Sequence, residues 1–234
     1  RHAIFTKKEA MKATLHHIVE EALNISTFFF TPERPLRYVA GQFIEMTLPH
    51  DNPDERGVKR WFTLSSAPGH ELISITTKRA AKPSSFKQTL WNLEPGAQID
   101  ISEPMGDFVL PKDEKQPLVW VAGGIGITPF HAIVQWLVDT KQSRPIQFLY
   151  SVHSKDELVF EQLFKQPFIT MAQFVAKPNI TAQIIVDTVS GIDSKQVFIS
   201  GPEPMTEAIV KQFQQDFGLP QDQLITDYFP GYTA

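Results

Sequence analysis

The chain reads as two unlike halves, the first all-β and the second α/β. Three observations carry that reading. Before residue 110, short apolar or β-branched runs are split by Pro, Gly, Asn and Asp. After residue 118, strand-like and helix-like runs alternate. Between them lies "LPKDEKQPL", residues 110–118, with two prolines and a charge cluster, the composition of a linker. Short strands at such spacing predict a sandwich or barrel. Strand–helix alternation predicts a parallel sheet covered by helices. A chain of 234 residues, 42% of them hydrophobic, suffices for two domains of roughly 100 to 120 residues. The division falls at 1–112 and 113–234.

In the first half the predicted strands are "STFFFTP", "GQFIEMTL", "RWFTLSSAPG" and "LISITTK". One helix is expected in "PSSFKQTLWNLEPG", where Leu90 and Leu93 follow Phe86 at helical spacing and Pro95-Gly96 end it. "GAQIDISEPMGDFVL" returns to strand pattern. In the second half the alternation runs through "LVWVAGG", "PFHAIVQWLVDT", "IQFLYSV", "LVFEQLFKQ", "ITMAQFVA", "KQVFISG", "EPMTEAIVKQFQQDFG" and "QLITDYF". No internal repeat or low-complexity tract is present.

Bulk composition narrows the function classes. With 22 basic and 26 acidic residues the net charge is -4, the wrong sign for a nucleic-acid binder. Cysteine is absent, so disulfides, thiolate zinc sites and cysteine-held iron–sulfur clusters are excluded within this chain. No apolar run approaches the ~20 residues that span a bilayer. The start, "RHAIFTKKEAMKATL", lacks the apolar core of a signal peptide. It also lacks an initiator Met, which is compatible with a start inside a longer precursor.

The richest stretch is "VWVAGGIGITPF". Residues 118–122 form a continuous apolar run, as in a strand buried on both faces. Gly123, Gly124 and Gly126 follow, where glycine lets the backbone turn sharply and approach a ligand. Ile127 leads to Thr128 at the expected N-cap of a helix, with Pro129 at its first position. Helix-start amides beyond a strand suit a pyrophosphate. Alone, the run reads equally as a tight, well-capped strand–helix turn with no ligand.

"GGIGITP" after a strand, with "GPEPM" some 75 residues later, resembles the ferredoxin–NADP reductase superfamily. More closely it resembles the bacterial flavin- and NAD(P)H-dependent reductase modules of oxygenases and flavohaemoglobins. The likeness covers nearly the whole chain. It implies an N-terminal antiparallel six-stranded β-barrel that binds flavin, then an α/β parallel-sheet domain for the nicotinamide nucleotide.

The family's flavin motif, Arg-x-Tyr-Ser/Thr, has its counterpart in Arg60-Trp61-Phe62-Thr63. A guanidinium binds phosphate in a forked geometry that lysine cannot match. An aromatic ring can stack on the isoalloxazine, and the Thr63 hydroxyl can bond beside flavin N5. Phe62 keeps the ring of the usual tyrosine but loses its hydroxyl. Taken alone, the four residues read as a barrel strand with core aromatics and a surface arginine. In relatives a serine or threonine at the start of the next helix holds the flavin pyrophosphate. Here Ser84 and Ser85 are candidates after Pro83, and Ser84 also suits a plain helix cap. Backbone groups of Ser74, Ile75, Thr76, Thr77 and Lys78 are expected to line the flavin. "AGQF", residues 40–43, matches a Pro-Gly-Gln segment and reads as structural.

In the second half, "SGPEPM" matches Cys-Gly-Pro-x-x-Met, in which the cysteine lies near the nicotinamide. Ser200 takes that place, Gly201 and Pro202 form the loop, and Met205 reads as packing. Relatives often end in Glu-x-Phe, with the ring covering the flavin face. Asp227 and Phe229 occupy those positions, and Tyr232 is a second candidate. An aromatic tail packing on the surface is the plain alternative.

The resemblance implies FAD in preference to FMN, and NADH or NADPH as donor. The donor stays open because no carboxylate ends the second strand of the second half, and Lys177 can meet a 2′-phosphate or stay solvated. Thr63, Ser200 and Phe229 are the residues assigned to the chemistry. The expected activity passes electrons from NAD(P)H through flavin to a one-electron acceptor outside this chain. The expected acceptor is a ferredoxin-like carrier, a haem or iron–sulfur protein, a fused membrane domain, or a small acceptor such as a ferric chelate or oxygen. The expected place is cytoplasmic, with tethering at the cytoplasmic face of a membrane as a variant. A non-catalytic nucleotide-binding regulatory module is the alternative, motivated by Phe62 and Ser200. His16-His17 should face opposite ways on a strand and hold no metal. "FFF" at 28–30 should be barrel core and flank. His131 can approach phosphate or face solvent.

Overall fold

The computed structural model describes residues 10–176 and 180–229. Its first half is a six-stranded antiparallel sheet built from β1 (Met11–Ala22), β2 (Ile25–Pro32), β3 (Phe43–Thr47), β4 (Lys59–Thr63), β5 (Ile73–Lys78) and β6 (Gln98–Ile101), with the helix α1 (Ser85–Trp91) before β6. The strand order is β4-β3-β6-β1-β2-β5. The two edges approach each other at one end, where an isolated bridge pairs Leu64 with Ile75. There Ser65 N–H donates to Ser74 O at 2.8 Å. Strand alternation sends Leu15, Phe28, Phe30, Ile44, Met46 and Ile75 into one core, which Phe86 and Leu90 of α1 close.

Phe28 and Phe30 are buried in that core, while Phe29 stacks on His17 outside it at 4.4 Å. β1 adds a strand to those predicted. Its Met11, Ala13 and Leu15 alternate with exposed residues, but register shifts between Leu15 and His17 and between Glu20 and Ala22 interrupt the pattern. The first bulge also corrects the expectation for the histidine pair. His16 and His17 do not point apart: their Nδ1 atoms lie 2.8 Å from each other. A bulge turns one residue off the strict alternation of a strand. α1 is shorter than expected. It ends at Trp91 with Asn92 as its C-cap, ahead of Pro95.

The second half contains β7 (Leu118–Gly123), α2 (Thr128–Asp139), β8 (Ile146–Val152), β9 (Ile169–Val175), α3 (Ala182–Thr188), β10 (Gln196–Pro202), α4 (Glu203–Asp216) and β11 (Leu224–Phe229). The strand order is β11-β10-β7-β8-β9, all parallel. β7 is the central strand, and all six of its residues are buried. α2 packs on one face through Phe130, Ile133, Val134 and Leu137. α3 and α4 cover the other through Ile185, Ile209 and Phe213.

The helix expected at 158–166 is absent. A single 3-10 turn, Lys155–Glu157, leads into turns instead. Phe160 has φ 62, a left-handed backbone that does not continue an α-helix. The apolar residues there are still used, with Val159 and Phe164 buried beside α2. α3 is an addition, capped by the Thr181 side chain.

The two sheets share a seam. Phe108 leaves the barrel to pack on Phe130 and Phe198, at ring separations of 5.3 and 5.2 Å. Gly41, φ +99, lets the barrel turn pass against the Phe108 carbonyl, where a Cβ would lie 1.9 Å away. Polar ties cross the seam as well. His131 Nδ1 donates to Ser65 O at 2.7 Å, Lys78 meets Glu157 at 2.6 Å, and His70 meets Asp139 at 2.7 Å. The sheet ends therefore hold a fixed relation, and a cavity opens where they face each other.

Candidate active site

A cavity of about 510 Å³ lies across this seam. β4 supplies Arg60, Trp61, Phe62 and Thr63; β5 supplies Thr76, Thr77 and Lys78. The approach to α1 adds Pro83 and Ser84, and α1 adds Lys87. The second half contributes Ile125 and Thr128 after β7, and Asp227 and Tyr228 from β11. The charges are lopsided. Arg56, Lys59, Arg60, Lys78, Lys82 and Lys87 line the cavity against Glu45 and Asp227. Such a lining attracts an anion, and Trp61 and Phe43 give it flat apolar wall.

β4 distributes its side chains by strand alternation. Trp61 points outward and is 59% exposed. Phe62 turns inward, and its ring packs 5.9 Å from that of Phe86. So the exposed ring at the cavity is Trp61, and Phe62 offers only an edge of the wall. Arg60 is buried, with its guanidinium 5.1 Å over the Phe86 ring. Thr63 is buried because β11 covers it. Its hydroxyl donates to Asp227 Oδ2 at 3.1 Å, the one polar contact between β4 and β11 among the described hydrogen bonds.

Burial pushes the Asp227 carboxyl up to about 6, and the Thr63 hydrogen bond offsets part of that rise. Beside it in the sheet stands Ser200, in register with Asp227 on one side and Ala122 on the other. Ser200 is fully buried, and its Oγ has no hydrogen-bond partner among the described residues. An orphaned buried hydroxyl costs about 1–3 kcal/mol, and Ser200 lies behind the cavity wall, outside its lining.

Of the two candidate serines, only Ser84 lines the cavity, and it also caps α1 by accepting from Lys87 N at 3.3 Å. Ser85 Oγ turns away, toward His50 Nε2 and Asp54 N. Ser74 and Ile75 lie off the cavity lining. Ser74 ties the barrel edges together through its backbone, and Ile75 is core.

The glycine loop differs from expectation. A 3-10 turn, Gly124–Ile127, runs directly into α2, so Thr128 is the first helical residue and not the N-cap. Its hydroxyl donates to Ile125 O at 3.1 Å. A capping side chain needs an extended residue before the helix, and Ile127 is already helical in φ and ψ. Pro129 does sit in the first turn. Two of the three glycines serve contacts within the chain. A Cβ on Gly123 would meet Met205 Sδ at 2.4 Å, and one on Gly126 would meet Ser200 O at 2.2 Å. Gly201 likewise clears room for Met205. Only Gly124, φ +51, has open space where a side chain would project. The "GGIGITP" and "SGPEPM" loops thus pack on each other, with Met205 and Pro202 as filler.

His131 is half-buried, lines a second pocket with His17, His70 and Phe160, and does not reach the cavity of the flavin motif. It lies against Ser65 O and Phe160, and burial pushes it down to about 4. The side chain of Phe229, and Lys177 and Tyr232, lie outside the described residues. Sequence reasoning passed over Glu45, Arg56, Lys59, Lys82 and Lys87. Lys82 and Lys87 flank the "PSSF" segment, a visible basic signal; Glu45 carries no such signal. Among the described residues no three His, Cys, Asp or Glu side chains group to hold a metal. None of the described helices is long and apolar enough to cross a membrane.

An antiparallel barrel-like sheet and a five-stranded parallel sheet sharing a basic, aromatic cleft define an FNR-like two-domain module. The comparisons agree. Flavohemoprotein A of Dictyostelium discoideum is 28% identical over 90% of this chain and 58% of its own length. The glycine betaine monooxygenase reductase subunit of Chromohalobacter salexigens is 26% identical over 67% of this chain and 43% of its own. The flavohem-like FAD/NAD binding domain of a nitric oxide dioxygenase from Vibrio cholerae superposes with a TM-score of 0.78 at 20% identity. That match covers 95% of this chain and 99% of that one. No family model matches the chain. The chain spans about half the length of the curated relatives it matches. The chain is thus similar in sequence to flavohaemoproteins and oxygenase reductase subunits, and its fold is that of ferredoxin–NADP reductase-like domains.

Proposed function

We propose that this chain is a flavin-dependent NAD(P)H reductase module that delivers electrons one at a time to an acceptor beyond it. We divide it into a flavin domain, 1–112, and a nicotinamide-nucleotide domain, 113–234. The observation that carries the reading is the shared cavity: a cation-rich wall from one sheet meets Thr63–Asp227 and the glycine loop at the mouth of the other.

The residues present fit FAD. Arg60, Lys78, Lys87 and Ser84 suit its phosphates, and Trp61 and the edge of Phe62 suit its flat ring system. Bound flavin supplies conversion between two-electron and one-electron transfer. The chain supplies position and electrostatics. Thr63 presents a hydroxyl held in place by Asp227, so its lone pairs face the cavity. Asp227 stands at the cavity wall beside Thr63, where nicotinamide and flavin would meet. Gly124 leaves open space beside that place for the nucleotide phosphates. NADH and NADPH both fit this reading. The acceptor is a redox protein or a fused domain, as the names of the oxygenase reductase and flavohemoprotein relatives suggest.

Arg60→Ala tests the assignment. Loss of a charge-assisted contact of about 1.5–3 kcal/mol lowers flavin affinity by roughly 10- to 100-fold. Purified wild-type protein should carry FAD, identified by mass after release, and the variant should lose most of it on dialysis. Full FAD occupancy in the variant removes the phosphate assignment.

A further inference from the structure

The loop between β3 and β4, "LPHDNPDERGV", reads as a solvated charge cluster, yet one of its carboxylates is paired with the cavity-lining Arg60. Asp54 Oδ1 accepts from Arg60 Nη2 at 3.0 Å and from Arg56 N at 3.0 Å. Oδ2 accepts from Ser85 N at 3.1 Å. The other end of the guanidinium is equally fixed: Arg60 Nη1 lies 2.8, 3.0 and 2.7 Å from the carbonyls of Arg56, Gly57 and Lys59.

We propose that Asp54 is a positioning residue that holds the Arg60 guanidinium in place for the phosphate of a bound flavin nucleotide, braced from behind by Ser85 and His50. This rests on the reading of the cavity as a flavin site.

With the His50 ring neutral, the brace has one consistent set of proton positions. Leu48 O can only accept, so His50 Nδ1, 2.8 Å away, carries a hydrogen. His50 Nε2 is then an acceptor in the neutral ring, and the Ser85 hydroxyl, at 2.9 Å, donates to it. That leaves a Ser85 Oγ lone pair for Asp54 N–H, also at 2.9 Å. Each donor in the chain meets one acceptor. The loop is thereby stitched to the first residue of α1, beside the cavity-lining Ser84.

Two effects of Asp54 oppose each other. Its charge repels a phosphate, and its contacts orient the arginine that attracts one. Orientation prevails because the carboxylate charge is already spread over Arg60 and two backbone N–H groups. Burial raises the Asp54 carboxyl, but the Arg56 and Ser85 hydrogen bonds and the Arg60 charge outweigh it and hold the group below its ordinary value. Arg60 side-chain exposure is 8%, so a guanidinium released from Asp54 has little room to reach the cavity from another rotamer.

The test is a double-mutant cycle on the full chain, freed of flavin and titrated with FAD by fluorescence quenching. Asp54→Ala should weaken FAD binding about tenfold in the wild-type background and by less than about twofold in the Arg60→Ala background. Asp54→Asn, which keeps the shape and loses the charge, should fall between Asp54→Ala and wild type. The melting temperature of the flavin-free protein serves as the folding control. Equal losses in both backgrounds would mean that Asp54 only supports the loop, and the proposal fails. Unchanged or tighter FAD binding by Asp54→Ala also overturns it, the latter by making Asp54 a competitor. Wild-type protein that binds no FAD overturns the flavin reading itself, a result distinct from the other three.

Discussion

Gly126→Ala is expected to cost the protein a large share of its stability. The new Cβ would sit 2.2 Å from Ser200 O, 2.5 Å from Ser200 C and 2.7 Å from Gly201 Cα. All three are backbone atoms of β10, which is bonded to β7 on one side and β11 on the other. No side chain can swing aside to relieve the clash. Overpacking typically costs about 1–3 kcal/mol, and a clash with a doubly paired strand belongs at or above the upper end. Typical domains have only about 5–15 kcal/mol in total, so a shift of this size is large. The control is Gly124→Ala. Nothing lies within 4 Å of its Cβ, though its φ is +51, and an alanine there costs about 1–2 kcal/mol. Urea unfolding of the three proteins distinguishes the roles. Gly126→Ala should lose midpoint well beyond Gly124→Ala, while Gly124→Ala should keep its fold and lose nicotinamide-nucleotide affinity. A Gly126→Ala protein with the wild-type midpoint contradicts the packing assignment.

Asp227→Asn is expected to stabilise the flavin-free protein above pH 6 and to remove a pH dependence. Burial raises this carboxyl from an ordinary 3.8 to about 6, so the folded state holds a proton that the unfolded state has released. The stability linked to that proton is fully present below about 3.8 and is lost as pH rises through about 6. The largest loss consistent with that shift is about 3 kcal/mol. Asparagine cannot ionise, and its side-chain oxygen can still accept from Thr63. Chemical denaturation of flavin-free protein between pH 4 and 8 should show wild-type stability falling across this window and a flat profile for the variant. The same inflection near pH 6 should leave the pH profile of nicotinamide oxidation. Parallel profiles for the two proteins would place the titration elsewhere.

Much of the architecture could be read from local pattern. The apolar run at 118–122 is the central strand because it must be buried on both faces. The alternating runs of "GQFIEMTL" and "LISITTK" are barrel strands because every second residue must reach one core. β1 escaped because its bulges break that alternation after Leu15. The segment 158–166 has helix-like apolar spacing, but the left-handed Phe160 turns it, and Val159 and Phe164 find the core from a loop.

The site was legible as motifs and not as contacts. Arg60, Thr63, Ser84 and Thr128, drawn from separate motifs, all line the one cavity. What the glycines of the loop do depends on Ser200 and Met205, more than 70 residues away in sequence. Asp54 sits among Asp51, Glu55 and Arg56, and nothing in that run marks it as the residue that turns inward. Such pairings arise from the fold and leave no local trace.

In the proposed reaction a nicotinamide nucleotide reduces a flavin held in the cavity shared by the two halves. Anaerobic titration of the purified protein with NADH and, separately, with NADPH tests this directly. The expected result is a yellow protein whose visible flavin absorbance bleaches stoichiometrically with at least one of the two donors. A protein that binds FAD but is bleached by neither, or one that binds no flavin, contradicts it.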